Sequence, residues 1–490
     1  MFRLFVLVAL LTLAFIEYKK PLKPFVFPVV FSLLTLMLAL RCGQGTDYFS
    51  YCQIYTNPEA AGQTYEAGYV LLNDLARSLG IPFTVFVFIY SLIVMGLLCL
   101  LIYQACSNKF MGLFVMYAIY YLQFFESSFR QVLAMMLVLL GYWLAASRNK
   151  ALFAFIGTAL AFTLHTSAIV SILFLIPYVY EKCKKLKAWI GKHPVAVTLS
   201  IGLACMGLIV FSCSPLFYSL TDLLPNAIAA RIKFYIENSS YSIMSLLSRI
   251  IFLGLIAVLY AGSRSKVSRA ERILFNTYLL GFVIYCALFR FDLIASRMNA
   301  YYKITEIVLI PNLISHFSAE ELRLPIPLKL SRLVRTGIVT GTALLLSFMY
   351  VKTTGDVMEQ SLYYDRGYIY PYYNVFNVEK MYTKRESPNY AHREFYALLG
   401  KSDPRLIGLG DNLSQNYISA VPAPNNWAFF DYSRTVTNYS LADPLTEACT
   451  LITLLDEEYD GKIYGSKAEA VLPTATPAPK VPITWKDLKK

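Results

Sequence analysis

The chain has 490 residues, 57% of them hydrophobic and only 15% charged, which is not the composition of a soluble enzyme. Its net charge of +13, from 44 basic and 31 acidic residues, would point to nucleic acid in a soluble protein. Here the positive charges sit in short loops between apolar runs, so a membrane replaces nucleic acid as the expected partner.

Apolar runs near residues 2–16, 24–40, 82–106, 110–125, 131–146, 151–164, 167–180, 194–213, 243–262, 273–289, 298–317 and 334–351 predict an all-α polytopic membrane protein with about twelve transmembrane helices. The first run lacks a small-residue cleavage site and a second follows at once, so it is expected to be an anchor rather than a signal peptide. Loops 17–23, 147–150, 181–193, 263–272 and 318–335 carry most of the lysines between spans, which makes them cytoplasmic by the positive-inside rule. The opposite face then carries loops 41–81, 126–130, 165–166, 214–242 and 290–297, and the tail from Lys352. Its short loops hold Arg41, Arg77, Arg130, Arg231, Arg290 and Arg297 but a single lysine, Lys233. Orientation needs none of these arginines, so their presence is the first functional hint.

Within loop 41–81, Glu66–Gly80 places Tyr69, Leu71, Leu72, Leu75 and Leu79 in nearly a helical stripe. That pattern predicts an amphipathic helix on the outer membrane surface, ended by Gly80 and Pro82. Loop 214–242 is expected to pack against the same face. The membrane domain is expected over 1–351, followed by a tyrosine-rich outer segment at 352–380. Residues 381–466 read as a small α/β domain, with a strand at Arg405–Gly410 and a helix at Pro444–Glu457, and 467–490 as a disordered tail. The nine cysteines form no CxxC or Cys/His cluster, so no metal site is expected; Cys42 and Cys52 fit a disulfide or two separate thiols equally well.

Polar residues at the outer ends of the spans carry the chemistry. The run Ala151–Leu164 rises about 21 Å as a helix against a hydrocarbon core of about 30 Å, so His165 falls below the outer surface at the break HTSA (His165–Ala168). The run Val132–Ala146 rises about 22 Å from the basic loop at Arg148, which puts Arg130 and Gln131 at a similar depth. A guanidinium there keeps its charge and needs water, a partner such as Glu126, or an anionic ligand. The plainer reading is helix-end snorkelling and a histidine satisfied by a neighbouring helix.

The segment Phe289–Pro311 is denser in charge. Arg290 and Arg297 flank a short loop around Asp292, Arg297 and Tyr301 share a helix face, and Lys303 and Glu306 fall inside the span. The last two suit a structural ion pair as well as a functional one. Two or three arginines facing one cavity suit a diphosphate, because each guanidinium makes paired hydrogen bonds to such oxygens. In loop 41–81, Asp47, Glu59, Glu66 and Asp74 supply carboxylates, while Tyr48, Tyr51, Tyr55, Tyr65 and Tyr69 either stack on sugar or simply populate the interface.

The motifs GTDYFSY (Gly45–Tyr51), EAGY (Glu66–Tyr69), FRQVLAM (Phe129–Met135), HTSA, SRMNAYYK (Ser296–Lys303) and YIYPYYNVF (Tyr368–Phe376) stand in this order between the spans. In that arrangement the chain resembles the EpsG family of Wzy-type polysaccharide polymerases over roughly residues 30–376. The resemblance implies a glycosyltransferase in a bacterial plasma membrane, needing neither metal nor cofactor. It would join undecaprenyl-diphosphate-linked oligosaccharides at the outer face into exopolysaccharide or capsule. It also implies that Arg130 and Arg297 bind the donor diphosphate and that His165 assists proton transfer. Gln131, Arg290, Tyr301, Tyr48 and Tyr69 complete the expected binding set, with Glu126, Asp47 and Glu66 as alternative bases. The expected partners are membrane lipids, the lipid-linked oligosaccharide and other export or chain-length proteins. An O-antigen-ligase-like transferase, a flippase or exporter, and a membrane O-acyltransferase using the histidine stand as alternatives.

Overall fold

The computed structural model describes residues 2–41, 44–45, 47–48, 51, 54–55, 65–221, 242–318 and 328–363. Apart from turns, their structure is helical. In chain order the elements are α1 (Phe2–Lys19), α2 (Val26–Ala39), α3 (Ala67–Ser78), α4 (Phe83–Ala105) and α5 (Lys109–Val115), which runs on as a π-helix (Met116–Glu126). There follow α6 (Phe129–Arg148), α7 (Leu152–Leu164), a 3-10 helix (Thr166–Phe174), α8 (Leu175–Lys182), α9 (Lys184–Lys192), α10 (Pro194–Ser212) and α11 (Pro215–Thr221). The last are α12 (Ile243–Ala261), α13 (Arg269–Ala287), α14 (Asp292–Lys303), α15 (Glu306–His316) and α16 (Leu328–Tyr363).

Among the described residues, α4, α6, α10, α12 and the stretch Leu333–Gly355 of α16 are long and apolar enough to cross a membrane. A sixth span results if Thr166–Lys182 and Lys184–Lys192, bent by 79°, count together. The helices α2 and α7 are apolar but shorter. The amphipathic helix expected at Glu66–Gly80 is α3, with Tyr69, Asn73 and Ala76 buried and Leu71, Leu75 and Leu79 exposed. The expected loop 290–297 is mostly helix, since α14 begins at Asp292: its sequence has no glycine or proline to break it and was polar rather than irregular. The expected continuous span 298–317 breaks instead between Lys303 and Glu306, where Thr305 Oγ1 donates to the Tyr302 carbonyl at 2.7 Å and competes with the helix ladder. The helix expected to end near 351 runs on to Tyr363. Cys42, Cys52, Glu59, Arg231, Lys233 and the readings over 364–490 lie outside the described residues.

The chain divides into two compact units. One comprises Met1–Val29, Val94–Tyr120 and Arg130–Met349, and the other Val30–Ile93, Tyr121–Phe129 and Tyr350–Lys490. In the first unit α13 is central, packed by α8, α10, α12 and α14. Its start is a reciprocal cap, in which Glu271 N donates to Ser268 Oγ at 3.2 Å and Ser268 N to Glu271 Oε2 at 2.6 Å. Pro311 inside α15 cannot donate to the Ile307 carbonyl, and Cys106 Sγ donates to that oxygen instead, at 3.3 Å. The second unit is organised around Phe129: Tyr51 stacks on its ring at 4.8 Å, Tyr90 lies at 5.8 Å and Tyr48 meets it edge-on at 6.3 Å. The Arg41 guanidinium lies over the same ring, 4.4 Å from its centre.

Candidate functional site

In the first unit, α6 and α7 form an antiparallel pair that sets the site's register. A Cβ on Gly141 would lie 2.8 Å from the Phe153 carbonyl oxygen, and one on Gly157 would lie 2.7 Å from that of Leu137. Only glycines permit such backbone contact between helices. Arg130 lies 11 residues before Gly141 and His165 8 residues after Gly157. At 1.5 Å per residue those are distances of about 16 Å and about 12 Å from the crossing, toward the same end of the pair. Both residues thus lie toward one end of the pair, about one helical turn apart in distance from the crossing.

His165 ends α7 in an extended conformation (φ −155°, ψ 115°) and opens the 3-10 helix. Nine residues of 3-10 helix is unusually long for this winding. Side chains from three helices hold it: Tyr142 donates to the Ser171 carbonyl at 2.8 Å, Thr158 Oγ1 bonds Ser171 Oγ at 2.8 Å, and Tyr302 donates to the Val170 carbonyl. The half-buried imidazole is fixed through Nδ1, which lies 2.6 Å from Ser167 Oγ and 3.3 Å from the hydroxyl of Tyr301, a fully buried side chain. Ser167 Oγ and the Tyr301 hydroxyl are themselves 3.3 Å apart. In the tautomer with its proton on Nδ1, Nε2 carries the lone pair a general base needs.

Gln131, almost fully buried, donates to the Arg297 carbonyl at 3.1 Å and so ties the start of α6 to α14. Arg130 is half-buried, Arg297 is exposed on the second turn of α14, and Arg290 is half-buried in the turn after α13. Tyr301 lies one helical turn beyond Arg297 on α14. Among the expected site residues of this unit, direct contacts join His165 with Tyr301 and Gln131 with Arg297.

The second unit holds the other expected residues. Glu126 ends the π-helix fully buried, and its carbonyl closes on Gly45, whose φ of +103° and lack of a Cβ both suit that approach. Asp47 is half-buried and accepts from Ser128 Oγ at 3.4 Å. Glu66 is half-buried before α3, where its carbonyl accepts from the amides of Tyr69 and Val70. Tyr48 and Tyr69 have no exposed surface and pack on Phe83, Phe129 and Tyr51. The expected sugar stacking on these two rings therefore does not hold in this structure, because stacking needs an open face. Arg41 and Arg77, two of the arginines orientation did not require, have structural tasks. Arg41 donates to the Leu38 carbonyl and to Ser91 Oγ, and Arg77 meets Asp74 and the Tyr55 carbonyl.

Lys303 and Glu306 form a pair at 3.8 Å across the α14–α15 break. Glu306 has no exposed surface and accepts from the Tyr120 hydroxyl at 2.8 Å and the Tyr278 hydroxyl at 2.9 Å. Both carboxylate oxygens are thus occupied, which favours the structural reading of the pair. One cation was overlooked in the sequence: Arg249, inside the apolar helix α12, where it donates to Ser296 Oγ at 2.8 Å and to the Ser245 carbonyl at 3.0 Å. A lone arginine seven residues into an apolar run was the available signal.

A family model, that of the EpsG family, matches residues 25–326. It ends before the YIYPYYNVF segment that was expected to belong to the resemblance. No curated protein and no solved structure matches the chain. The matched range contains the Gly45–Tyr51, Glu66–Tyr69, Phe129–Met135, His165–Ala168 and Ser296–Lys303 motifs and, with the apolar helices, marks a multi-pass helical membrane protein. The chain belongs to the EpsG family.

Proposed function

We propose that this protein polymerises undecaprenyl-diphosphate-linked oligosaccharide repeat units into exopolysaccharide or capsule at the outer face of a bacterial plasma membrane. Twelve spans, cytoplasmic basic loops and an extracytoplasmic tail complete the reading. The observation that carries it is the held imidazole of His165, bonded to Ser167 and Tyr301, with Tyr301 one turn from Arg297 on α14.

In this mechanism an acceptor sugar hydroxyl attacks the anomeric carbon of the lipid-linked chain. The bond from that carbon to the diphosphate oxygen breaks, a new glycosidic bond forms, and the hydroxyl proton passes to His165 Nε2. The lipid diphosphate departs with its charge held by Arg130, Arg297 and Arg290, which supply the stabilisation a metal gives elsewhere. Of the carboxylates, Asp47 and Glu66 are half-buried and remain alternative bases, while Glu126 is fully buried and is better suited to supporting the fold.

Lipid-linked glycans from a deletion strain test the reading. Accumulated single repeat units support a polymerase, whereas accumulated long lipid-linked chains indicate a ligase instead. Purified protein that lengthens a lipid-linked repeat in detergent separates an enzyme from an exporter. Wild-type chain lengths in both Arg130→Ala and Arg297→Ala would refute the arginine roles.

A further inference from the structure

Arg249 is placed where a charge is costly, and its direct partners are neutral, the Glu306 carboxylate acting on it only from beyond ion-pair distance. It lies seven residues into α12. That is about 10 Å past the Ser242 cap, inside the span, where a guanidinium cannot lose its proton. Nη1 donates to the Ser245 carbonyl at 3.0 Å and Nη2 to Ser296 Oγ at 2.8 Å. With the Asn299 carboxamide turned so that its nitrogen donates to the Gly281 carbonyl at 3.1 Å, its oxygen accepts from Nε at 3.3 Å. The guanidinium carbon lies 3.8 Å from the centre of the Tyr285 ring.

All four partners are neutral. Other cations of this unit meet carboxylates: Lys303 meets Glu306 at 3.8 Å, while Arg272 and Lys187 meet Glu181 at 3.0 and 2.9 Å. Among the described residues no carboxylate lies within ion-pair reach of Arg249. Three of its five N–H groups are engaged by these bonds. One N–H on each terminal nitrogen is not used by these bonds, and phosphate oxygens accept from such groups. The residue it bonds, Ser296, directly precedes Arg297.

We propose that Arg249, steadied by Ser296, Asn299 and the Tyr285 ring, is a further binding residue for the lipid diphosphate. The assignment rests on the polymerase reading above. A polyprenyl diphosphate suits the position because its hydrocarbon lies in the bilayer while its charge needs a donor near the helix end. Held at a neutral shell, the guanidinium is oriented in advance, so little ordering accompanies binding.

The test uses the purified full-length protein in detergent and three probes: undecaprenyl diphosphate, undecaprenol and inorganic pyrophosphate. The wild type is expected to prefer the diphosphate lipid to the alcohol. Arg249→Gln should weaken diphosphate binding by at least about tenfold and leave undecaprenol binding unchanged. Arg249→Lys keeps the charge without the planar fork, and should lose at least about threefold even where Arg249→Gln does not fold. Full diphosphate affinity in Arg249→Gln or in Arg249→Lys overturns the assignment. So does an equal loss for both lipids, which marks a scaffold role. Pyrophosphate binding as tightly as the lipid assigns the site to a soluble anion and overturns the lipid. A wild type without preference for the diphosphate sinks the polymerase reading itself.

Discussion

Replacing Glu306 by glutamine removes one charge from a buried pair while keeping the side chain's size. Lys303 Nζ stands 3.8 Å from Glu306 Oε2, and the carboxylate has no exposed surface. At an effective dielectric of about 20 their attraction is about 4 kcal/mol. The hydrogen bonds from Tyr120 and Tyr278 to Glu306 also change from charge-assisted to neutral. An ammonium left without its partner then makes the single substitution cost about 3–5 kcal/mol. Lys303→Met combined with Glu306→Gln removes both charges and should cost only about 1–2 kcal/mol. The assay is reversible unfolding in mixed micelles, read by tryptophan fluorescence on the wild type, both single variants and the double. A coupling of at least about 2 kcal/mol is expected. Additive losses, with coupling below about 0.5 kcal/mol, would refute the pair as a structural lock. The double variant should also make polymer of normal length; a loss of polymer with restored stability would return the pair to the reaction.

Tyr301→Phe removes the hydroxyl that meets His165 Nδ1 but keeps the buried ring, so stability should change by under about 1 kcal/mol while polymer formed by purified protein falls at least about tenfold. Gly157→Val forces a side chain against the Leu137 carbonyl and should cost about 1–3 kcal/mol in the same unfolding assay, with polymer yield falling as His165 shifts. Phe129→Ala empties the centre of the aromatic cluster and strips Arg41 of its ring. It should cost about 3–5 kcal/mol, seen as loss of folded protein on extraction.

The sequence disclosed much of the helical layout because apolar run length is a direct consequence of bilayer thickness. Rise per residue, fixed by helix geometry, also put Arg130 and His165 toward one end of their helices, and the Gly141–Gly157 contact gives the register of that pair. What was hidden depends on contacts between distant residues. Nothing in the spacing of Tyr48 and Tyr69 distinguishes an interfacial ring from one packed on Phe129 or Tyr51, and the structure buries both. The first half of α14, up to Arg297, falls in an expected loop because hydrophobicity, not helix propensity, marks the spans. Arg249 stands inside an apolar run rather than between spans, and its bond to Ser296 forms only where α12 meets α14.

The winding after His165 also sets a length. At about 2.0 Å per residue, the 9 residues of Thr166–Phe174 advance about 18 Å, where an α-helix would advance about 14 Å. Added to the 8 residues of Leu175–Lys182, this brings a short stretch to about 30 Å, the thickness of a hydrocarbon core. Rewinding the segment as α-helix would shorten it by about 4 Å and draw the imidazole along the segment's axis by the same amount. The position of the imidazole along this stretch is therefore governed by a coil whose pitch three hydroxyl clasps, from Tyr142, Thr158 and Tyr302, keep extended.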